Sequence, residues 1–287
     1  MELTLLELYP PELTLTLSFI FGLLIGSFLN VVIYRLPLQL QNTWQRDARD
    51  FLGQEPVEAE TKFSLIYPPS RCTNCETLLK PWHNIPLISY LVLKGRCNSC
   101  AEPISLQYPA VEVICGLLTL AVVYHFGFTV QAAWALLFTW VLVALTGIDF
   151  NHQLLPDNLT LPLLWLGLLV NMSATFVPLA DAVAGAVAGY LVLWCVYWAF
   201  KLITGKEGMG HGDFKLLAAL GAWLGWQQLP MIILLSSAVG ALIGTVGILL
   251  HGRERQAQIA FGPYLAIAGW IALVAGEEIT RTYLQLF

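Results

Sequence analysis

Charge is scarce in this chain: Asp, Glu, Lys and Arg make up only 11% of its 287 residues, against 57% hydrophobic residues. With a mean hydropathy of +0.69, an ordinary soluble domain of this size is excluded. Basic residues are missing from the start, where Met1 to Glu12 carries three glutamates and no Lys or Arg. A cleavable secretory signal needs a positive leader region, so the first apolar run is expected to remain in the chain as a span. Nowhere does a strand pattern lead into a Gly-rich turn and a helix, which excludes a Rossmann-type nucleotide site. A net charge of −5 averages over different surfaces, so the distribution of charge matters more than its sum, and no nucleic-acid partner is expected.

What is present is a series of apolar runs. The first covers residues 13–34, and others follow at 110–126, 131–148, 158–174, 179–203, 213–228, 229–250 and 258–276. These eight candidates predict an all-α polytopic membrane protein of about eight transmembrane helices, with the lipid bilayer as its surroundings. The run at 213–228 is short and rich in Gly and Ala, and is expected to be tilted or partly interfacial. Between the first two runs, Arg35 to Tyr108 forms a polar segment of over seventy residues with eight of the fourteen Lys and Arg. The expected domains are an N-terminal transmembrane helix at 1–34, a tetracysteine domain at 35–108 and a seven-helix membrane domain at 109–287. Threaded alternately, the spans leave only Arg281 on the side opposite the other Lys and Arg. The positive-inside rule makes the basic side the cytoplasm.

Two acids stand out at that cytoplasmic edge. Asp149 ends the third span, in Thr146-Gly147-Ile148-Asp149-Phe150. Asp213 opens the sixth, after the glycines of Gly208-Met209-Gly210-His211-Gly212-Asp213, which read as a tight loop that tolerates unusual dihedrals. Two facing carboxylates share a proton, so one activates water while the other protonates a scissile carbonyl, the chemistry of an aspartyl protease. The helix N-terminus favours the Asp213 anion as base, and the C-terminus leaves Asp149 as acid. A proton relay or a structural pair is the alternative. Nearby, Asp157 either caps the fourth span or helps to bind substrate, and His211 either tunes the pair or faces solvent.

Within the polar segment, Cys72-Thr73-Asn74-Cys75 and Cys97-Asn98-Ser99-Cys100 are separated by twenty-one residues. Two such knuckles in a cytoplasmic segment point to a closed, structural zinc site at Cys72, Cys75, Cys97 and Cys100, with disulfides as the alternative. Cys115 and Cys195 fall within spans and read as packing residues. Asp47, Asp50, Glu55, Glu58 and Glu60 make an acidic stretch, either solvated or attractive to a basic peptide. Gly22 with Gly26, Gly185 with Gly189 and Gly240 with Gly244 have the spacing of closely packed helices. Asn30, the polar residue of the first span, serves either an interhelical hydrogen bond or a site.

Taken in order, these residues resemble the type IV prepilin peptidases, within the GxGD class of intramembrane aspartyl proteases. The resemblance covers nearly the whole chain. It includes Gly22 to Pro37, the Cys knuckles flanking Asn84-Ile85-Pro86, and Tyr108-Pro109-Ala110-Val111-Glu112. It continues through Ile148-Asp149, Leu155-Pro156-Asp157, Gly208 to Lys215, and Phe261-Gly262-Pro263-Tyr264. It implies that Asp149 and Asp213 are the catalytic pair and that the four cysteines form the family's tetracysteine site. It further implies cleavage of prepilins and type II secretion pseudopilins on the cytoplasmic side of the bacterial inner membrane, after the glycine that ends a basic leader. Methylation of the new N-terminus with S-adenosylmethionine is implied as well, at residues the sequence does not identify. Gln107 and His211 depart from the family's pattern, where a basic and an aromatic residue are expected. A proton-coupled transporter with a zinc module is the alternative function, and would show more polar residues deep in the spans. A purely structural anchor carrying a zinc module would tolerate loss of Asp213.

Overall fold

The computed structural model describes residues 10–54, 64–251 and 260–285. Its regular structure is helical, and the described residues contain no strand, only two isolated bridges. Among the described residues, five helices are long and apolar enough to cross a membrane: Glu12–Phe51, Gln107–Phe126, Val130–His152, Leu179–Thr204 and Trp226–Val246. The chain divides into two compact units, residues 1–128 and 129–287.

The first unit is built on α1 (Pro11–Phe51) and α3 (Gln107–Phe126), which pack along each other. Helix α1 does not stop at Tyr34 but runs through Pro37 to Phe51. Proline removes one helical donor, yet beyond it Leu38 to Arg49 are mostly good helix formers, so the helix resumes as a polar extension. A Cβ on Gly22 would lie 2.7 Å from the Gly116 Cα, and one on Gly26 would lie 2.7 Å from the Glu112 Cα. The small-residue spacing therefore does what it predicts, letting two backbones close up. Between these helices lie the cysteine knuckles, a 3₁₀ turn at Pro81–Asn84 and the short α2 (Ile88–Val92).

The second unit comprises α4 (Val130–His152), α5 (Asp157–Val170), α6 (Leu179–Thr204), α7 (His211–Leu224), α8 (Leu229–His251) and α9 (Gly262–Leu284). At its centre is α7, in contact with α5, α6, α8 and α9. All its residues from Leu216 to Leu224 are buried. With 14 residues it measures roughly 21 Å, short of the ~30 Å hydrocarbon thickness. A helix apolar on every side is a core helix, so residues 216–224 of the weak run at 213–228 are enclosed by protein, whereas Trp226 beyond them is exposed. Gly185 of α6 meets Gly221 of α7 backbone to backbone, and a Cβ on Gly189 would lie 2.6 Å from the Leu217 carbonyl oxygen. The outer face of α6 instead exposes Val187, Leu191, Trp194 and Trp198. Large apolar side chains turned outward suit a lipid surround.

Among the described residues of this unit, Gln228 Oε1 is a buried side-chain oxygen with no hydrogen-bond partner, whereas the polar groups around the end of α7 are paired. Asn171, fully buried, donates to the carbonyls of Ala222 (2.9 Å) and Trp223 (3.1 Å), and its oxygen accepts the Phe176 and Val177 amides. It thus supplies donors to carbonyls left open at the end of α7. The buried Trp223 indole donates to the Leu163 carbonyl at 2.8 Å and locks α7 to α5.

Candidate functional site

Asp149 lies in the last turn of α4, and Asp213 in the first turn of α7. Both are buried, 5% and 6% exposed. The Leu155 side chain packs against Gly212, next to Asp213, and against Gly262, whose amide bonds Asp149, so one side chain links the surroundings of the two carboxyl groups. What joins them is the turn after α4. Gln153 takes a left-handed conformation (φ 51°) and returns its amide to the Asp149 carbonyl at 2.9 Å, ending the helix. Leu155 follows, with its side chain packed against both Gly212 and Gly262.

The glycines before Asp213 act through space, not through dihedral freedom. None of Gly208, Gly210 and Gly212 has a positive φ. A Cβ on Gly212 would stand 2.7 Å from the Leu155 Cβ, and one on Gly208 would stand 2.9 Å from the Phe200 ring. Gly210 is the N-cap of α7, and its carbonyl accepts the Asp213 amide at 3.2 Å.

One contributor has no role in the sequence reading. The Gly262 amide, at the start of α9, donates to Asp149 Oδ2 at 3.0 Å. A Cβ at this position would come within 2.7 Å of the same oxygen. The signal is Phe261-Gly262-Pro263, a glycine followed by proline at a helix start, but nothing local in it names its partner 113 residues away.

The other acids and histidines sort plainly. Asp157 does not cap α5: the N-cap is Pro156, and no side-chain cap bond is made. Instead Asp157 accepts two hydrogen bonds from the Lys215 ammonium, at 2.6 and 2.8 Å, tying α5 to α7 beside Asp213. His211 is exposed but packs in tilted geometry against Tyr197 and Phe214, with ring centroids at 5.2 and 5.4 Å. Cys115 is buried in α3, whereas Cys195 lies on the exposed face of α6.

In the first unit the four knuckle cysteines converge. The Sγ atoms of Cys72, Cys75, Cys97 and Cys100 all lie within 4.8 Å of one another, with Cys72–Cys100 at 3.8 Å and Cys75–Cys97 at 4.0 Å. Tetrahedral zinc with Zn–S bonds of ~2.3 Å places its sulfurs ~3.8 Å apart. The spacing fits that ion and is far from a disulfide bond. The two knuckles repeat one backbone design: the residue after the second cysteine, Glu76 or Ala101, has positive φ and returns its amide to the first cysteine's carbonyl at 3.0 Å. Hydrogen bonds from the Thr77 hydroxyl and amide bring the Cys75 thiol down to about 6. The Glu102 amide favours the Cys100 thiolate, but burial and the neighbouring sulfurs outweigh it and push that thiol up to about 11. Four thiolates so close repel one another unless a cation sits among them.

The same unit contains a cavity of about 900 Å³ between α1, the start of α3, the 81–90 segment and the knuckles. Ser27, Asn30, His83, Tyr90, Tyr108 and Glu112 are among its lining residues. Asn30 donates to the Tyr108 carbonyl at 3.0 Å, so it makes the interhelical bond and also faces the cavity. Glu112, 8% exposed, accepts the Leu87 amide at 2.9 Å.

Fold and sites together define a class: a polytopic helical membrane protein with two neighbouring aspartates buried at helix ends and a separate four-thiolate module. A family profile described as "Type IV leader peptidase family" matches residues 136–245, and one described as "Bacterial Peptidase A24 N-terminal domain" matches residues 20–126. The chain is 58% identical to a Stutzerimonas stutzeri protein named prepilin leader peptidase/N-methyltransferase, over 93% of each chain. Proteins of the same name from Pseudomonas aeruginosa and Legionella pneumophila are 56% and 47% identical, over 93% and 92% of this chain and 92% of each relative. No solved structure matches the chain. This chain belongs to the type IV leader peptidase family. That membership favours a peptidase over a proton-coupled transporter with a zinc module.

Proposed function

We propose that this protein is a membrane aspartyl endopeptidase that removes the basic leader of type IV prepilins and pseudopilins after its final glycine. It then methylates the new N-terminus with S-adenosylmethionine, in support of type IV pilus biogenesis or type II secretion. The observation that carries the peptidase reading is the pair of buried carboxylates Asp149 and Asp213 at two helix ends whose surroundings share the Leu155 side chain. Its location is the bacterial inner membrane, with the pair facing the cytoplasm, as the Lys and Arg distribution favours. The functional division is an N-terminal helix at 1–34, a zinc domain at 35–108 and a peptidase domain at 109–287.

In this reading the two carboxyl groups share one proton. The ionised member takes a proton from water as the oxygen adds to the scissile carbonyl carbon, and the protonated member gives its proton to the carbonyl oxygen. Collapse then breaks the C–N bond: the nitrogen takes a proton from the pair, a hydroxyl of the tetrahedral intermediate returns one to it, and the leader leaves with a free carboxyl group. The helix ends favour Asp213 as base. The Gly262 amide, by contrast, donates to Asp149. By accepting that amide, Oδ2 of Asp149 is held in place and Oδ1 is left for the reaction.

Zinc in the four-thiolate site is structural, because four sulfurs leave no position for water. S-adenosylmethionine, when bound, would supply an electrophilic methyl group to the new N-terminal amine. The acceptor nitrogen must first lose a proton from its ammonium form, and it leaves as a secondary ammonium.

The test is mass spectrometry of a purified prepilin incubated in detergent with the protein and S-adenosylmethionine. The expected product is the mature chain cut after glycine and heavier by one methyl, with no cut by Asp149→Asn or Asp213→Asn. Cleavage by either variant at the wild-type rate would refute the two-aspartate mechanism.

A further inference from the structure

The chain between α1 and α3 does not stay clear of the apolar runs that flank it. Its middle returns to both helices: the Ser27 hydroxyl donates to the Asn84 carbonyl at 3.4 Å, and the Leu87 amide donates to Glu112 Oε2 at 2.9 Å. Ser27 precedes Tyr34, the end of the first apolar run, by seven residues, which is ~10 Å along a helix. Glu112 lies within the second run, which begins at residue 110. The two bonds therefore hold Asn84 to Leu87 below the ends of the apolar runs, at the depth where headgroups give way to acyl chains.

What this segment turns outward is apolar. Trp82, Ile85, Ile88, Leu91 and Val92 are all exposed, the last two by 72% and 73%. Large apolar side chains gathered on one short segment mark a docking surface. The backbone beneath them is already paired. The His83 amide donates to the Lys80 carbonyl, Ile88 to Pro86, Ser89 to Ile85, Leu91 to Leu87 and Leu93 to Ser89. A segment that faces lipid needs this, because hydrocarbon offers a free amide or carbonyl no partner. Charge points the same way. Residues 77–101 contain Lys80, Lys94 and Arg96 and no Asp or Glu. All three are exposed, and the Lys80 ammonium stands over the Trp82 ring, 5.4 Å from its centroid. Basic side chains beside a Trp suit a membrane interface, with the ring at headgroup level and the ammonium reaching toward phosphate.

We propose that residues 81–93 form an interfacial membrane anchor. It lays Trp82, Ile88, Leu91 and Val92 into the leaflet at the α1–α3 connection and collects anionic headgroups around Lys80, Lys94 and Arg96. The occupant of the apolar patch is lipid. Because the cysteine knuckles lie on either side of this segment in the chain, the anchor ties the four-thiolate module to the bilayer surface instead of leaving it free in solvent.

The experiment is photo-crosslinking of the zinc-loaded full chain in nanodiscs made of equal amounts of phosphatidylcholine and phosphatidylglycerol. Leu91→benzoylphenylalanine and Val92→benzoylphenylalanine are two independent test variants, with zinc content and melting temperature as folding controls. Val187→benzoylphenylalanine, on the outer face of α6, is the lipid-facing reference, and Asp47→benzoylphenylalanine, in the polar extension of α1, is the solvent-facing one. Mass spectrometry should find phospholipid adducts at positions 91 and 92 in yields comparable to that at 187, with none at 47. Phosphatidylglycerol adducts should outnumber phosphatidylcholine adducts about fivefold, the scale of one basic side chain at an anionic surface. That ratio should fall toward parity when Lys80→Gln and Lys94→Gln are added. Peptide adducts in place of lipid would overturn the anchor, making the patch a contact inside the protein or, where they join two chains, an interface between copies. No adduct at 91 or 92, with lipid captured at 187, would overturn it as well. Equal capture of the two lipids before the lysines are changed would remove the anionic selection.

Discussion

At the scale of single residues, the catalytic reading depends on contacts that hold carboxylates. Gly262 is the sharpest case, because it gives Asp149 both an amide and room for its oxygen. Gly262→Ala should lower kcat about a hundredfold with little change in KM, the usual cost of misplacing a reacting group by an ångström. Steady-state cleavage of a prepilin checks this. A normal kcat would show that the amide does not position the acid. Asp157 and Lys215 give a contrasting expectation. Their side chains are 52% and 29% exposed, so breaking the pair with Asp157→Asn should cost no more than about 1 kcal/mol. Chemical denaturation in mixed micelles would measure that loss. A much larger fall in cleavage than in stability would give Asp157 a part in binding substrate.

Among the elements, α7 decides where Asp213 sits, and two kinds of contact place α7. One is the closeness of α6, which needs Gly185 and Gly189 against Gly221 and Leu217. Gly185→Val has backbone in its way and no flexible side chain to push aside, so α6 and α7 must separate. The expected result is a loss of about 1–3 kcal/mol accompanied by loss of cleavage, read by thermal melting and prepilin processing of the same preparation. The other is Asn171, whose side chain serves four backbone groups at the end of the helix. Asn171→Leu keeps the volume but leaves those groups unpaired, and should destabilise the second unit by about 2–3 kcal/mol or more. Both changes are remote from the aspartates along α7, so an active Gly185→Val enzyme would argue that the helix does not set the geometry.

For the whole molecule, two units carry two kinds of machinery: sulfurs and a cavity in residues 1–128, and the aspartates in residues 129–287. The purified chain should contain one zinc per molecule by elemental analysis, and Cys72→Ser or Cys97→Ser should lose it, because three thiolates no longer close the site. Removal of zinc should lower the melting temperature of the first unit. Retention of zinc by both serine variants would show that the metal is held elsewhere.

The sequence alone determined the helical membrane class, the positions of most apolar runs, the two aspartates and the spacing of the cysteines. These are legible because side-chain hydropathy repeats locally and because carboxylates and thiols in apolar surroundings are conspicuous. Tertiary structure decided the rest. It turned the weak sixth run into an enclosed core helix, carried α1 to Phe51, and gave Asp157 a lysine instead of a cap. It also brought Gly262 onto Asp149 and the Leu87 amide onto Glu112. Each of these depends on packing, or on hydrogen bonds between segments far apart in the chain. Local periodicity says which face of a helix is apolar, but not which distant backbone amide will be aimed at a buried carboxylate.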